Sequence, residues 1–411
     1  MKILHTSDWH LGKYLDKYSR IEEQEKFINE LEEICNKEKV DLIIIAGDIY
    51  DTTNPPILAE KLFFNSMKRL SLNGKRPIII VSGNHDSASK LSAPIPLAYE
   101  FGIIIQSMLN NVVNVGKYEN FEITKAGEGY FEIELNNEKA VFLTIPYITE
   151  KGINEVIFKS DEEIDMQIEF SDKIKDILEN LSVNYKDDTI NIIVSHLFVK
   201  GGIETDSERK IQAIGGTYAI DPKIFPEKTQ YVALGHLHRC QQVKNANCLA
   251  YYSGSPIRYS KSEVGYDKVV LLLDIKANEE PILKKINLTD YKPIEVFKCD
   301  SYEQALECCE KVTEKDSYAF LEILADTFIT GEQIRTLREK KKDIVSIILK
   351  SSIDEKVVYE LEEEKNILEQ FKEFYFYKKN VQPSDEILDM FLNILDEIEK
   401  EEVNVNEATD A

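Results

Sequence analysis

Short apolar runs alternate with amphipathic stretches over the first ~275 residues of the chain. The runs are rich in Ile and Val and end in Gly, Ser, Asp or Asn, a pattern typical of buried strands: Lys2–Leu4, Val40–Ala46, Pro77–Val81, Ala140–Ile145, Ile190–Val194, Tyr231–Leu234 and Val269–Ile275. Residues 22–37 and 58–72 instead repeat apolar side chains at helical spacing. Alternating strands and helices predict an α/β sandwich, which we place at residues 1–278.

A second, smaller pattern follows the polar segment 276–280. Residues 281–351 read as β-α-β-α-β, with strands near residues 294–297, 318–324 and 344–349. Capping boxes open both helices, Ser301 with Gln304 and Thr330 with Gln333. This predicts a small α/β capping domain with no motif that carries chemistry.

The tail is strongly acidic and contains two helical stretches. From residue 354 onward it has 18 acidic and 6 basic residues, which is −12 of the total net charge of −24. We predict a helix-loop-helix segment at 354–400 and disorder at 401–411. Its apolar faces either pack on the protein itself or bind a partner helix, and the candidate partner-binding residues are Leu361, Leu368, Phe371, Ile387, Phe391 and Ile394.

Composition narrows the class of protein. The 43 % hydrophobic content excludes a globally disordered chain, and the net charge of −24 excludes a polycationic nucleic-acid coat protein. The six cysteines form no CxxC pair, which indicates a reducing compartment. No apolar run approaches the ~18–20 residues of a membrane span. We therefore expect a cytoplasmic protein with no membrane partner.

Metal-ligand residue types follow five of the apolar runs. Each run leads into a short motif: Asp8-Trp9-His10, Gly47-Asp48-Ile49-Tyr50-Asp51, Gly83-Asn84-His85-Asp86, Ser195-His196 and Gly235-His236-Leu237-His238. Because parallel strands end at one edge of a sheet, these side chains can meet at one site. The glycines that precede Asp48, Asn84 and His236 allow the tight turns that this requires.

The set contains two carboxylates, one amide oxygen and four imidazoles: Asp8, His10, Asp48, Asn84, His196, His236 and His238. Mixed nitrogen and oxygen ligands favour two divalent ions such as Mn²⁺ or Fe²⁺ over thiolate zinc or all-oxygen calcium sites. Such an ion pair can clamp a phosphate and activate water. His85 is not needed as a ligand and can donate a proton, with Asp86 as the group that orients it.

Several neighbours of these motifs have two interpretations. His5 either packs within the first strand or supports the site, Asp51 either supports a ligand or caps a turn, and Trp9 either stacks on a base or wedges the loop. Nearby cations either contact phosphates or lie in solvated loops; these are Lys13, Lys17, Arg20, Lys200, Arg209 and Lys210.

The motifs resemble those of the calcineurin-like metallophosphoesterases, which follow the pattern D-x-H, G-D-x-x-D, G-N-H-D, H and G-H-x-H. Two longer strings, Tyr231–Arg239 and Tyr252–Ile257, resemble the SbcD family, the nuclease subunits of a DNA double-strand-break processing complex. The implied fold is a four-layer metallophosphoesterase sandwich with a capping domain and a helical tail.

This resemblance also implies roles for individual residues. One ion would be held by Asp8, His10, Asp48 and His238, and the other would be held by Asp48, Asn84, His196 and His236, with His85 as the catalytic histidine. The implied activity is Mn²⁺-dependent exonuclease cleavage of duplex DNA and endonuclease cleavage of single strands or hairpins. The implied partners are DNA, an SbcC-type ATPase bound by the tail, and a second copy of the chain within a heterotetramer.

Two other functions are compatible with the sequence. A metallophosphoesterase for small phosphodiesters or phosphoproteins would share the metal site but would not need the capping domain or tail. A scaffold with a vestigial site would not need the complete ligand set.

Overall fold

The computed structural model of the chain describes residues 1–148, 163–208, 212–213, 216–217, 219–310, 316–324 and 329–350, and in the tail residues 372, 375, 383–384, 387–388 and 390–391. The chain forms two compact units, Met1–Ser351 and Ser352–Ala411. The sheets and the site described below belong to the first unit.

The strands of the first unit are, in chain order, β1 (Lys2–Thr6), β2 (Tyr14–Leu15), β3 (Tyr18–Ser19), β4 (Leu42–Ala46), β5 (Ile78–Val81), β6 (Ile103–Gln106), β7 (Gly116–Lys117), β8 (Phe121–Gly127), β9 (Tyr130–Leu135), β10 (Glu138–Ile145), β11 (Thr189–His196), β12 (Phe198–Val199), β13 (Gln212–Ala213), β14 (Gly216–Thr217), β15 (Ala219–Ile220), β16 (Tyr231–Gly235), β17 (Gln241–Gln242), β18 (Leu249–Tyr252), β19 (Val269–Asp274), β20 (Ile282–Asn287), β21 (Ile294–Cys299), β22 (Tyr318–Leu324) and β23 (Ile344–Lys350). The helices are α1 (Ile21–Glu38), α2 (Ile57–Leu70), α3 (Ala88–Ser92), α4 (Ile95–Glu100), α5 (Glu163–Ser182), α6 (Tyr302–Glu310) and α7 (Gly331–Lys340), and short 3-10 turns lie at Pro222–Ile224 and Lys261–Glu263.

Two mixed sheets form the larger part of the unit. The first has the order β20-β19-β1-β4-β5-β6, and its strands β1, β4, β5 and β6 run parallel. The second has the order β17-β18-β16-β11-β10-β9-β8-β7, with β18, β16, β11 and β10 parallel at its centre. The parallel strands of each sheet therefore end at one edge, as the motif positions predict.

Side chains that alternate along each strand build three cores. Between the sheets, Ile44 of β4 packs in the same cluster as Phe142 of β10 and Ile192 of β11. The outer face of the first sheet, including Ile43 and Ile45, is covered by α1 and α2. The outer face of the second sheet is covered by α5. Burial on both faces explains why the central strands are continuously apolar, and the four layers confirm the predicted sandwich.

A small third sheet lies beside the hairpin that follows the first motif. Strands β21, β22 and β23 pair in parallel, and one face of this sheet packs against α6 and α7. The other face contacts Leu15 of β2 through Tyr318, Phe320 and Val345. The hydroxyl of Tyr18 also donates to the carbonyl of Lys342 over 3.1 Å.

The two helices that pack on this small sheet begin as the sequence predicts, with one difference. Thr330 and Gln333 form the complete capping box at α7. At α6, Ser301 accepts from the Gln304 amide over 3.2 Å, but the Gln304 side chain accepts from Asp300 instead of Ser301.

The polar segment 276–280 forms the connection between β19 and β20. Strand β20 therefore extends the first sheet, in antiparallel pairing with β19, and the small sheet begins at Ile294. The division into domains at 1–278 and 281–351 remains a prediction. Within the described residues, no helix has the length and apolar character needed to cross a bilayer.

Candidate metal centre

The loops after β1 and β4 are hydrogen-bonded to each other at the edge where the parallel strands end. The Asp8 amide donates to the Gly47 carbonyl over 3.0 Å, and the His10 amide donates to the Asp48 carbonyl over 3.0 Å. These bonds bring the first two motifs side by side. Loops from β5, β11 and β16 complete the same edge and contribute the other predicted ligands.

Four of the predicted ligands have left-handed backbone conformations. The φ angles are +54° for Asp8, +44° for His10, +50° for Asp48 and +107° for His236. A non-glycine residue in this region costs on the order of 1–3 kcal/mol and persists only where the surroundings impose it. Such strain clusters at functional sites. Here the four left-handed residues all carry side chains of the predicted metal site.

Two of the motif glycines are needed because other groups approach them closely. A Cβ atom on Gly235 would lie 1.8 Å from the Ala46 carbonyl oxygen, and one on Gly83 would lie 2.1 Å from Oδ1 of Asp48. Gly235 therefore allows the two sheets to approach each other, and Gly83 allows the neighbouring loops after β4 and β5 to do the same.

The first group of ligand atoms comes from Asp8, His10 and His238, which lie within 4.8 Å of one another. The Nε2 atoms of His10 and His238 are 3.0 Å apart. The Asp8 carboxylate is fixed by the amide of His236 at 3.0 Å and by the Ser7 hydroxyl at 2.5 Å. The three ligand side chains are all buried.

The second group centres on Asn84, His196 and His236. Oδ1 of Asn84 is 3.0 Å from Nε2 of His196 and 3.3 Å from Nδ1 of His236. Nδ1 of His196 donates to the Ala46 carbonyl over 2.9 Å, so the lone pair of its Nε2 is directed into the site.

Asp48 lies between the two groups. Its Oδ2 atom is 3.6 Å from Nε2 of His10 and 3.5 Å from Nε2 of His196. All seven side chains predicted as ligands therefore meet at one place, with Asp48 as the carboxylate that both groups share.

The charge state of these groups fits cation binding. Burial lowers the pKa of His10 to about 3 and holds the pKa of His236 well below its usual value, so both rings are neutral with a lone pair available. Burial raises the pKa of Asp8, which favours its neutral form, and a cation at the site would oppose this shift. Burial also opposes ionisation of Asp48, but the nearby His196, His85 and His10 outweigh it and lower the pKa of that carboxyl. Buried carboxylates and neutral imidazoles are a suitable ligand set for divalent ions.

His85 lies beside the ligands but is oriented differently. Its amide donates to Oδ1 of Asp48 over 2.8 Å, and its Nδ1 donates to the Asp51 carbonyl over 2.7 Å. Its ring meets that of His10 edge-on with centroids 4.7 Å apart. Its Nε2 is buried and has no hydrogen-bond partner within the described residues.

Asp86 has a different partner from the one expected. Its carboxylate accepts from the backbone amides of Ile49, Tyr50 and Gly83 over 3.2, 3.0 and 2.9 Å. The expectation that Asp86 orients His85 is therefore corrected: the Asp51 carbonyl binds the ring, and Asp86 fastens the loop that carries Asp48. Sequence spacing suggested Asp86, because it directly follows His85, whereas Asp51 lies 34 residues earlier in the second motif.

The contacts of Asp51, Trp9 and His5 bear on the two interpretations that the sequence left open for each. The Asp51 carboxylate binds Lys13 at 2.6 Å and lies 3.5 Å from Nδ1 of His10, so it supports a predicted ligand. Trp9 is buried, donates to Thr6 over 3.0 Å and packs on Phe27, which leaves it unable to stack on a base. His5 is buried and bonded to the Tyr231 hydroxyl at 2.8 Å.

The candidate phosphate-binding cations near the first motif and after His196 differ in their surroundings. Arg20 is buried and paired with Glu23, so it is not available to phosphates. Lys17 and Lys200 are exposed. Arg209 and Lys210 lie outside the described residues.

The candidate partner-binding residues fall mostly outside the described part of the chain. Ile387 and Phe391 have helical backbone, and their role in binding a partner stays a prediction. Leu361, Leu368, Phe371 and Ile394 lie outside the described residues.

One buried contact of a predicted ligand was not anticipated from the sequence. Nδ1 of His238 lies 3.3 Å from a carboxylate oxygen of Glu263, in the 3-10 turn Lys261–Glu263. The string Tyr252–Ile257 pointed to this region of the chain, but it ends six residues before Glu263.

Comparison with known proteins agrees with this site. Residues 1–240 match the family described as calcineurin-like phosphoesterase. The fold and the cluster of ligand side chains thus define a phosphoesterase of the calcineurin-like family.

Similar chains narrow the family further. The chain is 34 % identical over 406 residues to the SbcD subunit of the SbcCD nuclease of Bacillus subtilis (strain 168), covering 98 % of this chain and 100 % of that protein. It is 32 % identical over 336 residues to the SbcD subunit of the SbcCD nuclease of Staphylococcus epidermidis, covering 82 % of each. The chain belongs to the SbcD family of nuclease subunits.

Among solved structures, a dimetal phosphatase from Danio rerio is similar, with a TM-score of 0.40 and 11 % sequence identity. The match covers 69 % of this chain and 98 % of that one.

Proposed function

We propose that the chain hydrolyses phosphodiester bonds of DNA at two Mn²⁺ ions held by its seven converging side chains. The observation that carries this proposal is the position of Asp48, whose Oδ2 lies 3.6 Å from one imidazole group and 3.5 Å from the other. Asp8, His10 and His238 complete one site with Asp48. Asn84, His196 and His236 complete the second.

Divalent ions in such a site neutralise the charge of a phosphodiester and lower the pKa of a water nucleophile. The mixed set of imidazole, carboxylate and amide donors favours Mn²⁺, with Fe²⁺ as the close alternative. The chain's contribution is to hold these side chains in place before substrate arrives. The Gly47 carbonyl accepts from the Asp8 amide and joins the first two motifs. The Ala46 carbonyl binds the ring of His196, and the Asp51 carbonyl binds the ring of His85.

His85 is the proposed general acid. The Asp51 carbonyl accepts the Nδ1–H of His85, so Nε2 is the ring nitrogen that takes up and donates the proton used in catalysis. That atom has no competing hydrogen-bond partner in the described part of the chain. It can therefore deliver a proton to the leaving oxygen of a phosphodiester. Asp51 positions the ring of His85, and Asp86 holds the loop that leads from Asp48 to Asp51.

We further propose two protein partners. The tail at 354–400 binds an SbcC-type ATPase through its apolar helix faces, and the relatives are named as subunits of SbcCD. The second partner is another copy of this chain. Helices α2 and α4 expose Ile57, Leu58, Phe64 and Leu97, which are 69, 64, 47 and 72 % accessible. Phe64 and Leu97 also line an apolar groove of about 360 Å³.

This exposed surface supports a homodimer within a heterotetramer, because apolar patches of this kind on soluble chains mark interaction sites. The reducing compartment suggested by the cysteines fits a cytoplasmic complex, and the cysteines within the described residues are all free thiols. The capping domain at 281–351 would limit access of DNA to the ions.

A direct test uses the full-length chain with linear duplex DNA, a single-stranded hairpin and a small phosphodiester as parallel substrates. The proposal predicts that Mn²⁺ supports DNA cleavage and that the ATPase partner with ATP increases it. Turnover of the small phosphodiester without cleavage of either DNA would instead support a phosphoesterase for small substrates. Failure to bind any Mn²⁺ or Fe²⁺ would indicate a scaffold.

A further inference from the structure

A buried carboxylate contacts the ring of His238 at the nitrogen that does not face His10. Glu263 is 0 % exposed, and its Oε1 lies 3.3 Å from Nδ1 of His238. Nε2 of the same ring lies 3.0 Å from Nε2 of His10. The imidazole therefore lies between the proposed ion site and Glu263.

Glu263 is itself held from several directions. Its Oε1 accepts from the Tyr259 amide over 3.2 Å, and its Oε2 accepts from Ser255 over 3.2 Å and from Lys268. Lys268 is 5 % exposed and also donates to the His238 carbonyl over 3.0 Å. The ion pair thus grips both the side chain and the backbone of His238.

Stability alone gives a weak reason for this arrangement. Burying an ion pair carries a desolvation cost that well-packed apolar residues of similar size would avoid. Glu263 and Lys268 are both buried, and both contact His238. Their placement is explained if the carboxylate is needed at that ring.

A second route from Glu263 to the ring passes through Ser207. The Ser207 hydroxyl donates to Oε1 of Glu263 over 2.5 Å, which leaves its oxygen free to accept from Nδ1 of His238 over 2.8 Å. Glu208, the next residue, accepts from the His238 amide over 2.7 Å. Direct and relayed contacts both require a hydrogen on Nδ1, which leaves the lone pair on Nε2.

We propose that Glu263 is a positioning residue that fixes the tautomer and the orientation of His238 for cation binding. This rests on the proposed role of His238 as a metal ligand. Carboxylates that hydrogen-bond a ligating histidine in this way raise its basicity, and their loss typically weakens metal affinity by about 10–100-fold. Glu263 acts through the ring and has no contact with substrate in this assignment.

The test measures Mn²⁺ binding to the metal-stripped, full-length chain by isothermal titration calorimetry. For Glu263→Gln we expect about 10–100-fold weaker binding at one of two sites and unchanged binding at the other. Mn²⁺ electron paramagnetic resonance should show a smaller fraction of spin-coupled ion pairs at equal loading. The matched control is Glu132→Gln, which removes the carboxylate partner of Lys186 in the middle of β9. It should bind both ions as the unmodified chain does.

A companion variant covers the case in which Glu263→Gln does not fold because Lys268 is left unpaired. Combining Glu263→Gln with Lys268→Met removes both charges and keeps the volume, which is tolerated for many buried pairs. We expect this double variant to fold and to show the same selective loss of affinity.

The outcomes separate the two proposals. If the unmodified chain binds two Mn²⁺ ions and both Glu263 variants bind them equally well, the positioning role of Glu263 is wrong and the proposed function stands. Equal weakening at both sites, or the same loss in Glu132→Gln, also contradicts it. If the unmodified chain binds no Mn²⁺, the proposed function itself fails.

Discussion

His10 and His238 face each other through their Nε2 atoms at 3.0 Å, although 228 residues separate them in the chain. One follows the first strand of the first sheet, and the other follows strand β16 of the second. The two sheets therefore share a single site at their common edge, and no part of it is complete in one sheet alone.

Removing the proposed general acid should separate catalysis from metal binding. We expect His85→Ala to lower the rate of DNA cleavage by about 10²–10⁴-fold, the contribution typical of a positioned proton donor. The bound Mn²⁺ should remain at two per chain, because His85 is not among the proposed ligands. Metal content measured on the same preparation is the control. Loss of bound Mn²⁺ together with activity would instead make His85 a ligand.

Metal affinity should depend on pH through His238. Burial disfavours its charged form, but the hydrogen bond and charge of Glu263, together with the charges of Asp8 and Glu208, outweigh burial and raise the pKa of His238 above its usual value. His10 and His236 have lowered pKa values, so they are already neutral near pH 6. A proton on His238 must leave before an ion binds.

We therefore expect Mn²⁺ affinity to rise by up to about tenfold per pH unit from about pH 6 until His238 is neutral, and then to level off. Calorimetric titrations in buffers of different ionisation enthalpy would count the released protons, and about one is expected. An affinity that does not change with pH would contradict this assignment.

The close approach of the two sheets gives a stability test. In Gly235→Ala the new methyl group would lie 1.8 Å from the Ala46 carbonyl oxygen, so β4 and β16 must move apart. We expect a loss of about 1–3 kcal/mol or more in the free energy of unfolding, from urea denaturation of the metal-free chain. Gly116→Ala is the matched control, since among the described residues no atom beyond its own chain neighbours lies within 4 Å of the new methyl position. Equal stability of the two variants would contradict the packing described.

The tail is predicted to bind the ATPase partner without contributing to the first unit. Deleting residues 352–411 should leave the melting temperature of the remaining unit unchanged, because Met1–Ser351 is compact by itself. Complex formation with an SbcC-type ATPase, followed by size-exclusion chromatography, should be lost. A truncated chain that still forms the complex would place the partner surface elsewhere.

The sequence predicted the site well because its residue types are rare and tied to strand ends. Five of the six histidines lie in the motifs, and all five lie together in the structure. The central strands were predictable because both their faces are buried. The edge strand β20 was not, since its lysines and alternating exposure resemble a polar connection.

Contacts between distant parts of the chain could not be read from the pattern. The partners of Asp86 and Glu263 depend on how loops of different strands meet, and spacing along the chain contains no such information. Arg20 was ambiguous for a different reason: a cation near a motif can face a phosphate or, as here, a buried glutamate three residues away.

Asp48 is the residue proposed to join two ion sites that together cleave DNA. The number of Mn²⁺ ions bound by Asp48→Asn, measured by calorimetry alongside cleavage of linear duplex DNA, tests this role. Asp187→Asn, an exposed carboxylate paired with Lys228, is the control. We predict two ions and full cleavage for the control, and at most one tightly bound ion with cleavage lost for Asp48→Asn. Two tightly bound ions and undiminished cleavage in Asp48→Asn would contradict the shared role of Asp48.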